Sequence, residues 1–350
     1  MEVLKAIALG IIQGVAEFFP VSSSGHLVLV PFLFKWDYIP VYYSVALHFA
    51  TLLSLVTVFY RDIRRIIKAF FTGLFNKNIR NSNPYFKLAL FIVIATIPGV
   101  IVGYFLQDQI ESFFSKPLYV SLFLLVTAAF LFGGEYFGKK SEKRYETSNP
   151  ENKDNLNHEL KGLNPEADGL NYGDTNPDPE INNLKSMVVG HDSKANKLKI
   201  EIKGNNIEVN GSNSRIKGLN FISAAVVGVG QAIAILPGVS RSGSTISFAR
   251  LFGIKREECV RFSMLLSIPI TFGAFVLETY KSYNQVISQD AHIIINIAVG
   301  FVFAYAAGLF AIKFLLKFSK LRNLNYFAIY CIVIAVIVFV LFFINKGGVF

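Results

Sequence analysis

Two apolar stretches of this chain are each broken near the middle by a short polar phrase, and that pairing constrains the fold more than any other feature. Val3–Phe34 is interrupted by PVSSSG at 20–25, and Leu219–Phe252 by PGVSRSG at 237–243. Six further apolar runs are unbroken: Tyr43–Tyr60, Phe86–Leu106, Leu118–Phe137, Phe262–Tyr280, Ile293–Leu316 and Tyr326–Ile344. Runs of about 17–25 apolar residues cross the hydrocarbon core of a bilayer. Each half of a broken stretch is too short to cross. With proline, glycine and serine at the break, each reads as a helix–turn–helix hairpin that dips into the bilayer and returns. Irregular backbone at membrane depth survives only where protein or a water-filled cavity surrounds it. Both turns are therefore expected inside a helical bundle.

The two broken stretches repeat each other. Aligned without gaps, Gly10–Gly25 and Gly228–Gly243 share seven of sixteen positions, and the match reaches past the turn to Gly10/Gly228 and Gln13/Gln231. Each is followed by three spans, so the second hairpin enters from the opposite face. The expected fold is an all-α integral membrane protein: six transmembrane helices plus two re-entrant helical hairpins in an inverted repeat, the two tips meeting near the midplane. Residues 1–138 form the first repeat and 219–350 the second. Between them lies a polar insert, 139–218.

Charge supports this division. The insert carries 13 basic and 13 acidic residues, so the whole formal net charge of +10 belongs to the apolar remainder. The Arg61–Lys87 loop holds seven basic residues and one acid, while Lys35–Tyr42, Gln107–Pro117 and Lys281–Ala291 hold one basic residue each. Basic loops mark the cytoplasmic side. The first hairpin then opens outward, the second inward, and the insert faces the cytoplasm. This distribution indicates a membrane protein and no nucleic-acid partner. The first half of the insert is rich in Asn, Asp, Pro and Gly and is expected to be disordered. Its second half, KLKIEIKGNNIEVNG, alternates apolar and polar residues about a Gly-Asn-Asn turn and reads as a β-hairpin. DTNPDPE at 174–180 has the oxygen spacing of a calcium loop but lacks its glycine, and calcium is not expected there. Cys259 and Cys331 show no metal or disulfide spacing and read as packing residues. The N-terminal stretch lacks a basic n-region and carries Gln13 and Glu17, so it reads as mature structure.

Polar residues inside a membrane are costly and mark function by default. Gln13 and Glu17 are four apart, on one helix face, and point to the turn bearing Ser22, Ser23, Ser24 and His26. The second hairpin offers Ser240, Arg241, Ser242, Ser244 and Thr245. Joined tips combine a guanidinium, hydroxyls, an imidazole, a carboxylate and the N-termini of two second half-helices, expected near Leu27 and Thr245. That set binds an anion, and phosphate suits it best. Diphosphate hydrolysis needs charge neutralisation, a nucleophile and protonation of the leaving group. Arg241 is the natural clamp, a hydroxyl the nucleophile, and His26 a base or acid. Glu17, helped by Gln13, could hold a divalent cation.

QGVAEFFPVSSSGH and PGVSRSGST resemble the two signatures of the bacterial undecaprenyl-diphosphate phosphatases, the bacitracin-resistance family. The resemblance covers roughly 1–138 and 219–350. It implies removal of the terminal phosphate of undecaprenyl diphosphate on the outer side of the cytoplasmic membrane, which returns the lipid carrier to cell-wall synthesis. It implies Glu17, Ser23, His26 and Arg241 as catalytic residues, with Ser23 as nucleophile, His26 as acid/base and Arg241 as phosphate clamp. Gln13, Ser22, Ser24, Ser240, Ser242 and Thr245 would line the substrate site. The implied cofactor is Mg²⁺ or Ca²⁺, with Glu17 as its ligand. Gln13 stands where the family pattern often has a glutamate, and the long insert is unusual for it. The expected partners are the polyprenyl diphosphate and membrane lipids; homo-oligomers are allowed. The rival reading is a transporter or flippase of a polyprenyl-linked phosphate, since inverted repeats with broken helices are a transporter plan. A carboxylate beside a serine and a histidine suits hydrolysis better, because it repels a phosphate that is merely carried.

Overall fold

The computed structural model describes residues 2–37, 39–148, 199–203, 206–210, 219–287 and 290–344. They divide into two units, Met1–Tyr145 with Ile216–Phe350, and Glu146–Arg215. The described elements of the larger unit are all helices. Its first part comprises α1 (Val3–Ala16), α2 (Ser23–Phe34), α3 (Val41–Phe75), α4 (Lys77–Ser82), α5 (Pro84–Phe105), α6 (Gln107–Phe114) and α7 (Pro117–Ser148). Its second part comprises α8 (Phe221–Ile233), α9 (Arg241–Arg250), α10 (Arg256–Ile287), α11 (Ala291–Leu321) and α12 (Asn325–Ile344). In the smaller unit β1 (Lys199–Lys203) pairs antiparallel with β2 (Asn206–Asn210), Ile200 facing Val209 and Ile202 facing Ile207. Of the segment expected to be disordered, residues 139–148 instead continue α7, and the rest, with the DTNPDPE stretch, lies outside the described residues.

Among the described residues six helices are long and apolar enough to cross a membrane: α3, α5, α7, α10, α11 and α12. Their outward faces carry large apolar side chains such as Tyr104, Phe272, Val302, Val336 and Ile344, all more than half exposed. A soluble monomer rarely exposes apolar patches of that extent. The protein is a multi-pass membrane protein.

Local sequence explains the helix ends. Pro84 opens α5 at a position where a missing N–H is harmless, and Asn83 caps it through the Tyr85 N–H. Asn220 and Ser223 form a reciprocal capping box at the start of α8. Three segments depart from expectation. The basic stretch after Tyr60 continues as helix: α3 bends at Phe59, with φ −99° and ψ 15°, and runs on to Phe75. The segment at 107–114 forms a short helix, and α7 extends through Lys139 to Ser148. Lys, Arg and Glu are good helix formers, and a helix leaving the bilayer keeps its backbone bonds in water. Apolar runs therefore locate the spans but not the helix ends.

The short helices pack reciprocally. α1, from the first half of the chain, lies along α11 from the second, whereas α8, from the second half, lies along α5 from the first. Small residues permit both approaches. A Cβ on Gly10 would strike the Gly300 carbonyl, one on Gly14 the Ala304 carbonyl, and one on Gly228 the Ala95 carbonyl. Close backbone approach at small residues is the usual way helices associate where lipid removes the hydrophobic drive. Where α9 ends and α10 begins, partly buried ion pairs tie the bundle. Glu135 takes both Arg256 Nε (2.6 Å) and Nη2 (2.8 Å) and also accepts from the Leu324 N–H at 3.1 Å. Arg250 donates to Glu142 Oε2 and, at 2.7 Å, to the Ile254 carbonyl.

Candidate active site

The two turns have the same construction. Ser22 caps α2, its Oγ accepting from the Gly25 N–H at 3.2 Å and facing Ser24 Oγ at 3.3 Å. Ser240 caps α9, its Oγ accepting from the Gly243 N–H at 3.1 Å and facing Ser242 Oγ at 3.2 Å. Both second helices thus begin one turn earlier than expected, at Ser23 and Arg241. The serine cap explains this, since its oxygen satisfies an N–H that no helical carbonyl can reach. Ser23 and Arg241 hold equivalent positions in the two turns, directly after the cap. Ser22 itself sits at φ 71°, a strained region for a residue with a side chain.

The tips touch. A Cβ added to Gly25 would lie 3.2 Å from the Gly238 Cα, and Ser242 Oγ donates to the Phe19 carbonyl at 3.2 Å. Gly238, at φ 104°, lets the second turn pass the Val120 backbone, where any side chain would clash. Thr127 on α7 secures that turn, donating to the Gly238 carbonyl at 3.0 Å and accepting from the Ser240 N–H at 2.8 Å.

Glu17 stands at the junction. Its Oε2 accepts from Ser23 Oγ at 2.7 Å and from Gln13 Nε2 at 2.9 Å. Its Oε1 pairs with Arg241 Nη2 at 2.5 Å, a contact between residues 224 positions apart. Arg241 Nη1 also reaches Thr271 Oγ1 at 3.5 Å. Thr245 is turned the other way, onto Ser263 Oγ at 2.6 Å and the Arg241 carbonyl at 2.8 Å, so it buttresses α9. Gln13 is fully buried, and its Oε1 has no partner. Glu17, Arg241 and Ser23 therefore form one charged, nearly enclosed cluster. In it the ion pair offsets the cost of removing both charges from water.

His26 has different partners. Its Nδ1 faces the Ser22 carbonyl at 2.7 Å, and its Nε2 faces the Tyr330 hydroxyl at 2.8 Å, the two rings being nearly parallel. The side chain hydrogen-bonded to the Ser23 hydroxyl is thus Glu17 rather than His26.

The sequence model of the family described as bacitracin resistance protein BacA matches residues 6–158 and 196–337.

The chain belongs to the bacitracin resistance protein BacA family.

Relatives agree. The undecaprenyl-diphosphatase of Korarchaeum cryptofilum is 31% identical over 340 residues, covering 96% of this chain and 98% of that protein. The undecaprenyl-diphosphatase of Thermodesulfovibrio yellowstonii is 31% identical over 344 residues, covering 98% of each. Undecaprenyl-diphosphatase 1 of Shouchella clausii is 29% identical over 346 residues, covering 97% of this chain and 96% of that protein. The two stretches matched to the BacA family leave out 159–195, inside the polar insert.

Two site residues escape sequence reasoning in this BacA-family chain. His48 on α3 places Nε2 3.6 Å from Glu17 Oε2, while its Nδ1 faces the Ser44 carbonyl at 2.9 Å. A lone ionisable residue inside an apolar span was the available signal. Tyr330 lies on the last span, one of 15 tyrosines in the chain, and nothing in its local sequence marks it.

Proposed function

We propose that this chain is a membrane hydrolase that converts undecaprenyl diphosphate to undecaprenyl phosphate and inorganic phosphate. Its two short-helix hairpins are re-entrant and belong to an inverted repeat. The reciprocal packing of α1 on α11 and α8 on α5 supports that symmetry, as do the matching serine caps. The observation that carries the functional reading is Glu17 joined to Ser23 on one side and to Arg241 on the other.

The chemistry follows from that junction. The terminal phosphate enters at the N-termini of α2 and α9, where helix dipoles favour negative charge. Arg241 turns its donors from Glu17 to the phosphate oxygens, which suit a planar guanidinium. Ser23 Oγ attacks the terminal phosphorus as its proton passes to Glu17 Oε2. The bridging oxygen leaves with undecaprenyl phosphate, and a phosphoserine remains. Water then attacks that phosphorus, Ser23 Oγ leaves as it takes its proton back from Glu17 Oε2, and inorganic phosphate is released. A carboxylate in this position activates a hydroxyl that is weak at its ordinary pKa.

Among the described residues no three His, Cys, Asp or Glu side chains come together. A divalent cation would therefore rest on few protein ligands, as Mg²⁺ does at phosphate sites. The unpartnered, buried Gln13 Oε1 fits that role. Gln13 and Glu17 would hold Mg²⁺ or Ca²⁺, which neutralises phosphate charge when bound.

The protein works in the bacterial cytoplasmic membrane with its basic loops inside and the site open to the outer side. It recycles the lipid carrier for cell-wall synthesis and so confers bacitracin resistance. A pure transporter or flippase has no use for a carboxylate on the Ser23 hydroxyl. Purified protein in detergent, given undecaprenyl diphosphate, is expected to release phosphate, and Glu17→Ala, Ser23→Ala and Arg241→Ala are each expected to remove most of that release. Unchanged turnover in all three variants would overturn the reading.

A further inference from the structure

One face of α12 covers the tip of the first hairpin. Phe327 packs on Phe19 with ring centroids 5.2 Å apart, and Cys331 Sγ lies 3.9 Å from the Pro20 carbonyl. Between them Tyr330 reaches His26, its hydroxyl 2.8 Å from Nε2. Residues 327, 330 and 331 share a helix face by their spacing, so three contacts fix Tyr330 against the turn. His26 is 6% exposed and Tyr330 42%. The Tyr330 ring is thus partly exposed on α12, while its hydroxyl bonds the buried imidazole.

The hydrogen bonds settle the form of the ring. The Ser22 carbonyl can only accept, so Nδ1 carries the proton. Nε2 then offers a lone pair, and the Tyr330 hydroxyl donates to it. A histidine's proton position is set by the bond its other nitrogen makes, and here both nitrogens are assigned.

We propose that Tyr330 fixes His26 as the Nδ1–H tautomer and relays to it a proton from the reacting water. This rests on the phosphatase reading above. In the second step, water attacking the phosphoserine passes a proton to the Tyr330 oxygen as the tyrosine's own proton moves to His26 Nε2. The tyrosine is unchanged by the exchange, and the imidazolium formed gives up its proton when phosphate departs.

Tyr330→Phe keeps the ring and removes the hydroxyl. In the purified full-length enzyme, kcat should fall about tenfold or more with KM within about twofold, as for a group acting on a proton in flight. His26→Ala should lose more, and the His26→Ala/Tyr330→Phe pair no more than His26→Ala alone. Tyr326→Phe, on the same helix but outside this contact, should keep wild-type turnover. Nitrogen-15 spectra of histidine-labelled protein, assigned with His26→Ala, should report an Nδ1–H tautomer for His26 that becomes a mixture in Tyr330→Phe. Unchanged kcat, losses that multiply in the pair, or an unaltered tautomer would each overturn the proposal. Absence of phosphate release from wild-type protein would instead count against the phosphatase reading, while the nitrogen spectra would still decide the tautomer.

Discussion

Ser23 and Glu17 are bound Oγ to Oε2 at 2.7 Å across the first turn, and the other oxygen of Glu17 holds Arg241 of the second. One carboxylate thus serves both the proposed nucleophile and the proposed phosphate clamp. Before substrate arrives, it keeps a buried guanidinium and a serine hydroxyl aligned.

The three neighbouring serines should separate cleanly. Ser23→Ala should lower phosphate release by about a thousandfold or more, as expected when a nucleophile is removed. Ser22→Ala removes a cap and should cost about 1 kcal/mol of stability. Turnover measured beside thermal unfolding distinguishes the two. Phosphoenzyme trapped by rapid acid quench should map to Ser23.

Arg241→Lys should behave as a severe change, because a point charge replaces a planar fork. A loss of about a hundredfold in kcat is expected. Arg241→Ala leaves Glu17 buried without its cation and should destabilise the fold by about 3–5 kcal/mol. Adding Glu17→Gln to Arg241→Ala should restore much of the thermal stability and none of the activity.

Gly238→Ala should damage the site without touching a catalytic group. The residue has φ 104° and abuts the Val120 backbone. The second turn would have to retreat from the first, carrying Ser240 and Arg241 with it. Expression and unfolding temperature should both fall. Gly25→Ala, with its nearest neighbours at 3.1 and 3.2 Å, should be milder in stability and still reduce turnover.

His48 approaches Glu17 from a span that carries neither turn. His48→Leu should lower kcat about tenfold by removing the polar neighbour of Glu17 Oε2. His48→Gln, which keeps a donor of similar reach, should retain most activity. Steady-state kinetics of the two variants provides the check.

Glu135→Ala should separate stability from chemistry. It leaves Arg256 partly buried and unpaired and removes the acceptor of the Leu324 N–H. A loss of about 3–5 kcal/mol is expected. The specific activity of the protein that remains folded should be near wild type.

Much of this arrangement was legible in the sequence. Apolar length located the spans, and the broken stretches located α1, α2, α8 and α9. The four-residue spacing of Gln13 and Glu17 put both on the face where they now hydrogen-bond. The polar phrases located the two turns, though not the serine caps that start α2 and α9 a turn early. What escaped has a physical reason in each case. Tyr330 meets His26 across 304 residues, a contact made by packing that no local pattern encodes. His48 looks, in isolation, like any polar residue in a span. Glu17 reads as a carboxylate near serines, but the torsions of the turn decide that Ser23, rather than Ser22 or Ser24, receives it. The helix at Arg61–Phe75 was hidden because charge density marks a water-facing segment and is silent on its backbone.

The crossed lodging of the two turns makes each half of this chain the other's host. α1 rests on α11 and α8 on α5, so a fragment ending in the insert would leave its own broken helix without the helix it packs on. Biogenesis must hold the first half open until the second has been inserted. In that respect the molecule assembles as two subunits that happen to share a backbone.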